Sequence, residues 1–209
     1  MDDITRRLPC VTGGTTRSLG RVITEKGRIL LREMTQDDLP DLCEILQDAE
    51  TMYAYEHAFS DAEAQEWLDR QLIRYRQDGI GLWAVIDRMS GAFVGQCGLT
   101  WQDAGGVREL EIGYLLKRRF WHMGYATEAA ALCRDYAFGV LNRTRVVSII
   151  RDTNLSSRGV ALRLGMRRER RFVKHYYGMD MPHDVYALER GGVDRTGQLR
   201  ENPQEGLDF

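Results

Sequence analysis

The chain of 209 residues carries 43% apolar and 29% charged side chains and a formal charge of −2. That apolar share supports a real core and excludes wholesale disorder, and no run approaches the ~20 apolar residues of a membrane span, so one soluble domain without a membrane partner is expected. The near-zero charge disfavours a nucleic acid as substrate, because phosphate binding leaves a basic excess.

Cys10, Cys43, Cys97 and Cys133 are widely spaced and form no CxxC pair, so neither a zinc site nor a disulfide framework is expected. Reduced, packed thiols fit the cytoplasm. The opening residues, with Asp2, Asp3, Arg6 and Arg7 and no apolar run before Pro9, do not read as a signal peptide, which gives the same compartment. Residues 1–26 lack periodicity and residues 191–209 are polar, so both read as extensions of a central domain over 27–190.

The first element is a short apolar strand at Arg28-Ile29-Leu30-Leu31-Arg32. Thr35 followed by Asp38 resembles a capping box, predicting a helix over about 36–49 with Leu39, Leu42, Cys43 and Leu46 on one face. Ser60-Asp61-Ala62-Glu63 opens a second helix over about 61–77, ending at Asp78-Gly79. Runs at 81–87, 92–101 and 108–116, separated by turn residues, predict an antiparallel meander. Helical periodicity returns from Ala126 to Gly139. A compact apolar strand at 146–150, a short helix over about 155–164 closed by Gly165, and strands at about 166–174 and 184–189 complete the series.

The segment Trp121-His122-Met123-Gly124-Tyr125-Ala126-Thr127-Glu128-Ala129 leads from a strand through a tight turn directly into a helix. Such a turn aims unpaired backbone N–H groups and the positive end of the helix dipole at one point, which suits a pyrophosphate. Small residues at Gly124 and Ala126 let phosphates approach the backbone. Alone, the pattern equally fits a plain strand-to-helix turn. Downstream, Asn154, Ser157 and Leu164-Gly165-Met166 follow the strand at 146–150.

Together with Glu111-Ile112-Gly113-Tyr114 and the opening Gly-Arg-Ile-Leu-Leu-Arg, these motifs resemble the GNAT superfamily of acetyl-CoA-dependent N-acetyltransferases, in particular the branch containing the ribosomal-protein N-terminal acetyltransferases. The likeness covers about residues 27–190. It implies an α+β fold with a central, mostly antiparallel sheet of six or seven strands, splayed at the acetyl-CoA site, with helices on both faces. It implies that the strand reaching Leu115 and Leu116 pairs with the pantetheine arm. Backbone groups of His122, Met123, Gly124, Tyr125, Ala126 and Thr127 would hold the pyrophosphate.

The tyrosine that many superfamily members use to protonate the leaving thiolate falls at Ala161, so that route is absent. In the branch resembled, a serine acts on the sulfur, and Ser157 occupies its position; helix capping is the other reading of that serine. Asn154 lies near the pantetheine arm or holds the strand-to-helix turn. Attack by a neutral amine needs a carboxylate to accept a proton, and Glu111, on the splaying strand, is the candidate base. Glu109 shares its face, and a bulge in this strand would exchange the two. His57, His122, His175 and His183 have no ligand-like spacing, so no metal is expected. Neither Cys97 nor Cys133 has an activating neighbour, which favours direct transfer without a covalent enzyme intermediate. Trp83, Trp101, Tyr114 and Trp121 are expected in the core and the acceptor-groove walls.

The implied activity is acetyl transfer from acetyl-CoA to a primary amine: a protein N-terminus, a polyamine, an amino sugar or an amino acid. The alternative is a catalytically weak acyl-CoA sensor or an interaction module on the same fold. Family likeness also implies a homodimer. The small net charge hides a segregation: residues 37–69 hold eleven Asp or Glu and no Lys or Arg, whereas residues 117–174 hold fourteen Lys or Arg against four acids. The basic part contains Arg118, Arg119 and Arg158, candidates for the nucleotide phosphates. The acidic helices would border the acceptor groove and favour a cationic amine.

Overall fold

A computed structural model describes residues 19–55, 57–176 and 178–192. Its strands are β1 (Val22–Lys26), β2 (Ile29–Arg32), β3 (Leu82–Asp87), β4 (Phe93–Asp103), β5 (Arg108–Leu116), β6 (Arg145–Arg151), β7 (Arg167–Tyr176) and β8 (Met179–Glu189). Helices are α1 (Leu39–Leu46), α2 (Asp61–Gln77), α3 (Tyr125–Gly139) and α4 (Leu155–Arg163). The strands form one sheet in the order β1-β2-β3-β4-β5-β6-β8-β7. Every neighbouring pair is antiparallel except β5 with β6.

The sheet thus has eight strands where six or seven were expected. The additional one, β1, lies within the segment read as an N-terminal extension. Its sequence VITEK lacks a clean apolar alternation because it is an edge strand, exposed on most positions and ending in charged residues. β8 begins at Met179 rather than near 184, through Pro182. That proline lies just past the last β6 pair, Arg151 with His183, where its carbonyl still accepts the Asp152 N–H at 3.0 Å and its missing N–H costs at most one bond at the end of the ladder. Residues 193–209 of the expected C-terminal tail, and Cys10, lie outside the described residues.

Ser60 caps α2 as its sequence predicts: Ser60 N donates to Glu63 Oε2 at 2.8 Å and Glu63 N donates to Ser60 Oγ at 3.3 Å. The helix expected over 36–49 is shorter and enters through a 3-10 turn at Gln36–Asp38. Pro40 sits in the first turn of α1 and has no N–H to donate back to Gln36, so a continuous α-helix cannot start there. Apolar faces of α1 and α2, including Leu42, Ile45, Leu46, Ala64 and Leu68, bury one face of the sheet with Leu82, Ala84 and Phe93. The core containing α3, with Ala129, Ala130, Cys133 and Ala137, is built with Trp83, Val85, Leu99 and Ile112. Small side chains on α3 allow close approach of helix to sheet. Among the described residues no helix is long and apolar enough to cross a membrane.

The acidic and basic segments meet each other. Lys117, 2% exposed, points its ammonium at Asp41 Oδ1 (2.6 Å) and Glu44 Oε1 (2.9 Å) of α1. Arg119 reaches Glu44 at 2.6 Å, and Arg118 reaches Asp48 at 3.2 Å and also pairs with Glu50. Lys117 and Arg119 accordingly hold the Glu44 carboxyl below its usual range. These bonds tie α1 to the end of β5. Removing one member of a buried ion pair strands the other, so Lys117→Met is expected to cost about 3 kcal/mol in denaturant-induced unfolding. Unchanged stability would show that the clasp carries no net energy.

Candidate active site

β5 and β6 share one register pair, Glu111 with Val147, and then diverge. β5 stays paired with β4 through Leu116, and β6 with β8 through Arg151, so the sheet opens in its middle and not at an edge. Two side chains stitch the start of the split. Ser148 Oγ donates to the carbonyl of Ile112 at 3.1 Å, and the N–H of Ile149 donates to Glu111 Oε1 at 3.1 Å. Beyond them the β5 edge from Gly113 to Leu116 has no neighbouring strand among the described residues. Trp121 Nε1 donates to the Leu116 carbonyl at 2.9 Å and fixes the chain as it leaves β5.

The strand-to-helix turn takes two left-handed steps, at His122 (φ 60) and Gly124 (φ 87). Gly124 is the N-cap of α3 and supplies no side chain to the helix end. The first amide of α3 with a helical acceptor is Glu128, whose N–H reaches Gly124 O at 3.1 Å. The N–H groups of Tyr125, Ala126 and Thr127 have no acceptor among the described residues, as the first turn of a helix dictates. Arg28 braces this turn: it pairs with Glu128 at 2.7 Å, donates to the Met123 carbonyl, and lies 3.9 Å above the Tyr125 ring. Tyr125 Oη in turn donates to Asp87 at 2.7 Å. Nothing in the local sequence marked Arg28, because its partners lie about a hundred residues away.

Across the split stands α4. Asn154 is its N-cap, and Asn154 Oδ1 accepts the Ser157 N–H at 3.0 Å. The capping role therefore belongs to Asn154, and the Ser157 hydroxyl has no partner among the described residues. Tyr114, read from sequence only as part of a wall, donates from its phenol to the Ser157 carbonyl at 3.1 Å and spans the split from β5 to α4. Ala161 is buried, 1% exposed, and supplies no proton donor.

β5 holds an unbroken register with β4 from Arg108 to Leu116, so the bulge that could exchange Glu109 and Glu111 is absent. Glu109 is buried in an ion network with Arg145 (3.1 Å) and Arg170 (3.3 Å), away from the split. Glu111 faces the split. Burial raises its pKa to about 7, against the opposing effects of Lys174, the Ile149 N–H and Arg74.

One groove of about 1240 Å³ runs through the split, which is room for a long ligand and a second, smaller one. It is lined by Glu111, Leu115, Leu116, His122, Gly124, Tyr125, Ala126, Thr127, Asn154 and Ser157. Of the expected site residues, Met123 alone is not on its wall; it takes part through the carbonyl held by Arg28. Trp83 is buried in the core, and Trp101 is sandwiched by Arg108 and Arg143. Tyr114 and Trp121 do line the groove, and Tyr53, Tyr55, Phe59 and Trp67 add to its aromatic wall, with Trp67 meeting Tyr55 and Phe59 edge to face at 5.9 and 5.8 Å. Cys97 and Cys133 lie buried off the groove, 3.5 Å apart. Among the described residues no three His, Cys, Asp or Glu side chains cluster to hold a metal.

The charge of the groove differs from the sequence expectation. Among the described residues Arg70, Arg74, Arg151, Arg163 and Lys174 line it, against the two carboxylates of Glu111 and Glu128. Among the described acids of 37–69, Asp41, Glu44, Asp48 and Glu50 turn to Lys117, Arg118 and Arg119, and Asp38 to Arg32 at 2.7 Å; none of the described ones is on the groove wall. Arg119 pairs with Glu44 of α1 and Arg118 with Asp48 and Glu50 just past that helix, and Arg158 is not on the groove wall, whereas Arg163 is. The acids that suggested a cationic acceptor are thus absent from the described groove wall.

A mostly antiparallel sheet split at its one parallel pair, with a bare helix N-terminus at the mouth, is the architecture of GNAT acetyltransferases. The family model described as acetyltransferase (GNAT) domain matches residues 28–167, and the chain belongs to this family. It is an acetyltransferase, and its family uses acetyl-CoA. The chain is 34% identical over 140 residues to the uncharacterized protein YkkB of Bacillus subtilis, covering 66% of this chain and 81% of that protein. It is 29% identical over 153 residues to the uncharacterized N-acetyltransferase YnaD of the same organism, covering 73% and 86%. Among solved structures it is similar to RimL, a ribosomal L7/L12 alpha-N-protein acetyltransferase in complex with coenzyme A. That match has a TM-score of 0.66 at 18% identity and covers 81% of this chain and 98% of that one.

Proposed function

We propose that the protein transfers an acetyl group directly from acetyl-CoA to a primary amine, with both substrates in the groove at once. The observation that carries this reading is the convergence on one groove of four features: the open β5 edge, the bare N-terminus of α3, the free hydroxyl of Ser157 and the carboxylate of Glu111. The N–H groups of Tyr125, Ala126 and Thr127 bind the pyrophosphate, and Gly124 leaves room for it. The edge from Gly113 to Leu116 pairs with the amides of the pantetheine arm. Asn154 holds α4 so that Ser157 faces the sulfur.

Glu111 accepts the proton that the attacking amine loses as its nitrogen bonds to the acetyl carbon. Ser157 Oγ–H donates to the sulfur as the C–S bond breaks and regains a proton from water in the groove. Ser157→Ala is expected to lower kcat about 100-fold, the low end of general acid catalysis, with CoA affinity nearly intact. An unchanged rate would remove Ser157 from the reaction.

The test of the function is thiol release from acetyl-CoA with a panel of amines, run beside calorimetry with CoA. Release with at least one amine, together with CoA binding, is expected. CoA binding without release on any amine would instead mark a sensor module, and no CoA binding would overturn both readings.

A further inference from the structure

Two cations of α2, Arg70 and Arg74, share the groove wall with Glu111. Arg70 and Arg74 stand one turn apart on α2, a like-charge spacing that destabilises a helix. Arg70 lies over the Trp67 ring at 5.4 Å, and Arg74 spends one hydrogen bond, at 3.3 Å, on the Gln71 amide oxygen. Neither has a carboxylate within ion-pair distance among the described residues. Burial and the neighbouring Arg70 charge push the Arg74 pKa down, with Asp78 and Glu111 only partly offsetting them. From the opposite side of the split, Lys174 of β7 acts on the same Glu111 carboxylate as Arg74 does. Arg70, Arg74 and Lys174 thus line the same groove as the candidate base, while the mouth formed by α3 and α4 lies at the other end of β5.

We propose that the acceptor amine carries an anionic group, a carboxylate or a phosphate, which seats among Arg70, Arg74 and Lys174 and leaves the amine at Glu111. This rests on the reading of the groove as an acetyl-transfer site. The physical reason is direct: a second positive charge on the acceptor would meet three cations in a partly desolvated groove, whereas an anion gains charge-assisted hydrogen bonds there. The aromatic wall of Tyr55 and Trp67 supplies apolar contact for the body of such a molecule.

The test compares kcat/KM for 4-aminobutanoate, 2-aminoethyl phosphate, 4-aminobutan-1-ol and 1,4-diaminobutane under saturating acetyl-CoA. At least one anionic amine is expected to exceed the alcohol by about 10-fold, with the diamine lowest; the two anionic arms separate carboxylate from phosphate recognition. Arg74→Gln and Lys174→Gln are expected to reduce the anion-to-alcohol ratio about 10-fold, and Lys174→Arg to preserve it, with CoA affinity by calorimetry unchanged in all three. A preference for the diamine, a ratio that the variants leave alone, or a loss of CoA affinity in place of the ratio would overturn the proposal while leaving acetyl transfer standing. Absence of thiol release with every amine would remove the transferase reading and this inference with it.

Discussion

Glu111→Gln is expected to lower kcat by about 10²- to 10³-fold, within the range for loss of a positioned general base. Gln is the informative replacement because Glu111 is both the proposed base and a structural acceptor. Its Oε1 accepts the Ile149 N–H where β5 and β6 part, and an amide oxygen at the same place still accepts that bond, so the stitch survives while the base is lost. With a pKa raised to about 7, wild-type activity should climb with pH through about 7 as the carboxylate ionises, and the variant should lose this rise. The stability signs run the other way. Between the ordinary carboxylate pKa and about 7 the folded state holds a proton that the unfolded state has released, so this group lowers wild-type stability as pH rises across that window. The Gln variant lacks that decline. A variant with normal kcat, or with a wild-type pH profile, would place the base elsewhere.

Gly124→Asp is expected to weaken CoA binding about 100-fold by calorimetry. A new Cβ would stand 3.3 Å from Glu128 Oε1 and 3.4 Å from Arg28 Nη2, in a left-handed conformation that side chains rarely adopt. An Asp carboxylate at the N-cap also captures the helix amides meant for the pyrophosphate and repels its charge. Losing one or two charge-assisted hydrogen bonds at about 1.5–3 kcal/mol each is a factor of about 10 or more. Gly124→Asn has the same shape and a similar tolerance of positive φ without the charge, so the gap between Asp and Asn isolates the electrostatic part. Equal affinity for Asp and wild type would mean that the phosphates bind elsewhere.

Elements whose determinants are local were legible in the sequence. The Ser60 cap of α2, the meander β3-β4-β5, Gly124 at the start of α3 and Gly165, with φ 81, after α4 all follow from neighbours within a few residues. What escaped depends on partners distant along the chain. β1 is recognisable as a strand only once it pairs with β2. The Lys117 clasp and its neighbours set three cations of the basic segment against four acids of the acidic one, a pairing that a count of charges along the chain cannot show. Arg28 reaches across about a hundred residues to hold the α3 turn, and the aromatic wall gathers from a 3-10 turn at Thr51–Tyr55, the loop to α2, and α2 itself. The roles of Ser157 and Asn154 were ambiguous in sequence because both can cap a helix. Only the geometry assigns the cap to Asn154 and leaves the serine hydroxyl facing the groove.

Direct transfer requires acetyl-CoA and amine to occupy the groove together. The most direct measurement is the initial rate of thiol release with acetyl-CoA varied at several fixed concentrations of a competent amine. Lines that intersect in a double-reciprocal plot are the expected result for a ternary complex; parallel lines, the signature of an acetylated enzyme intermediate, would contradict the account.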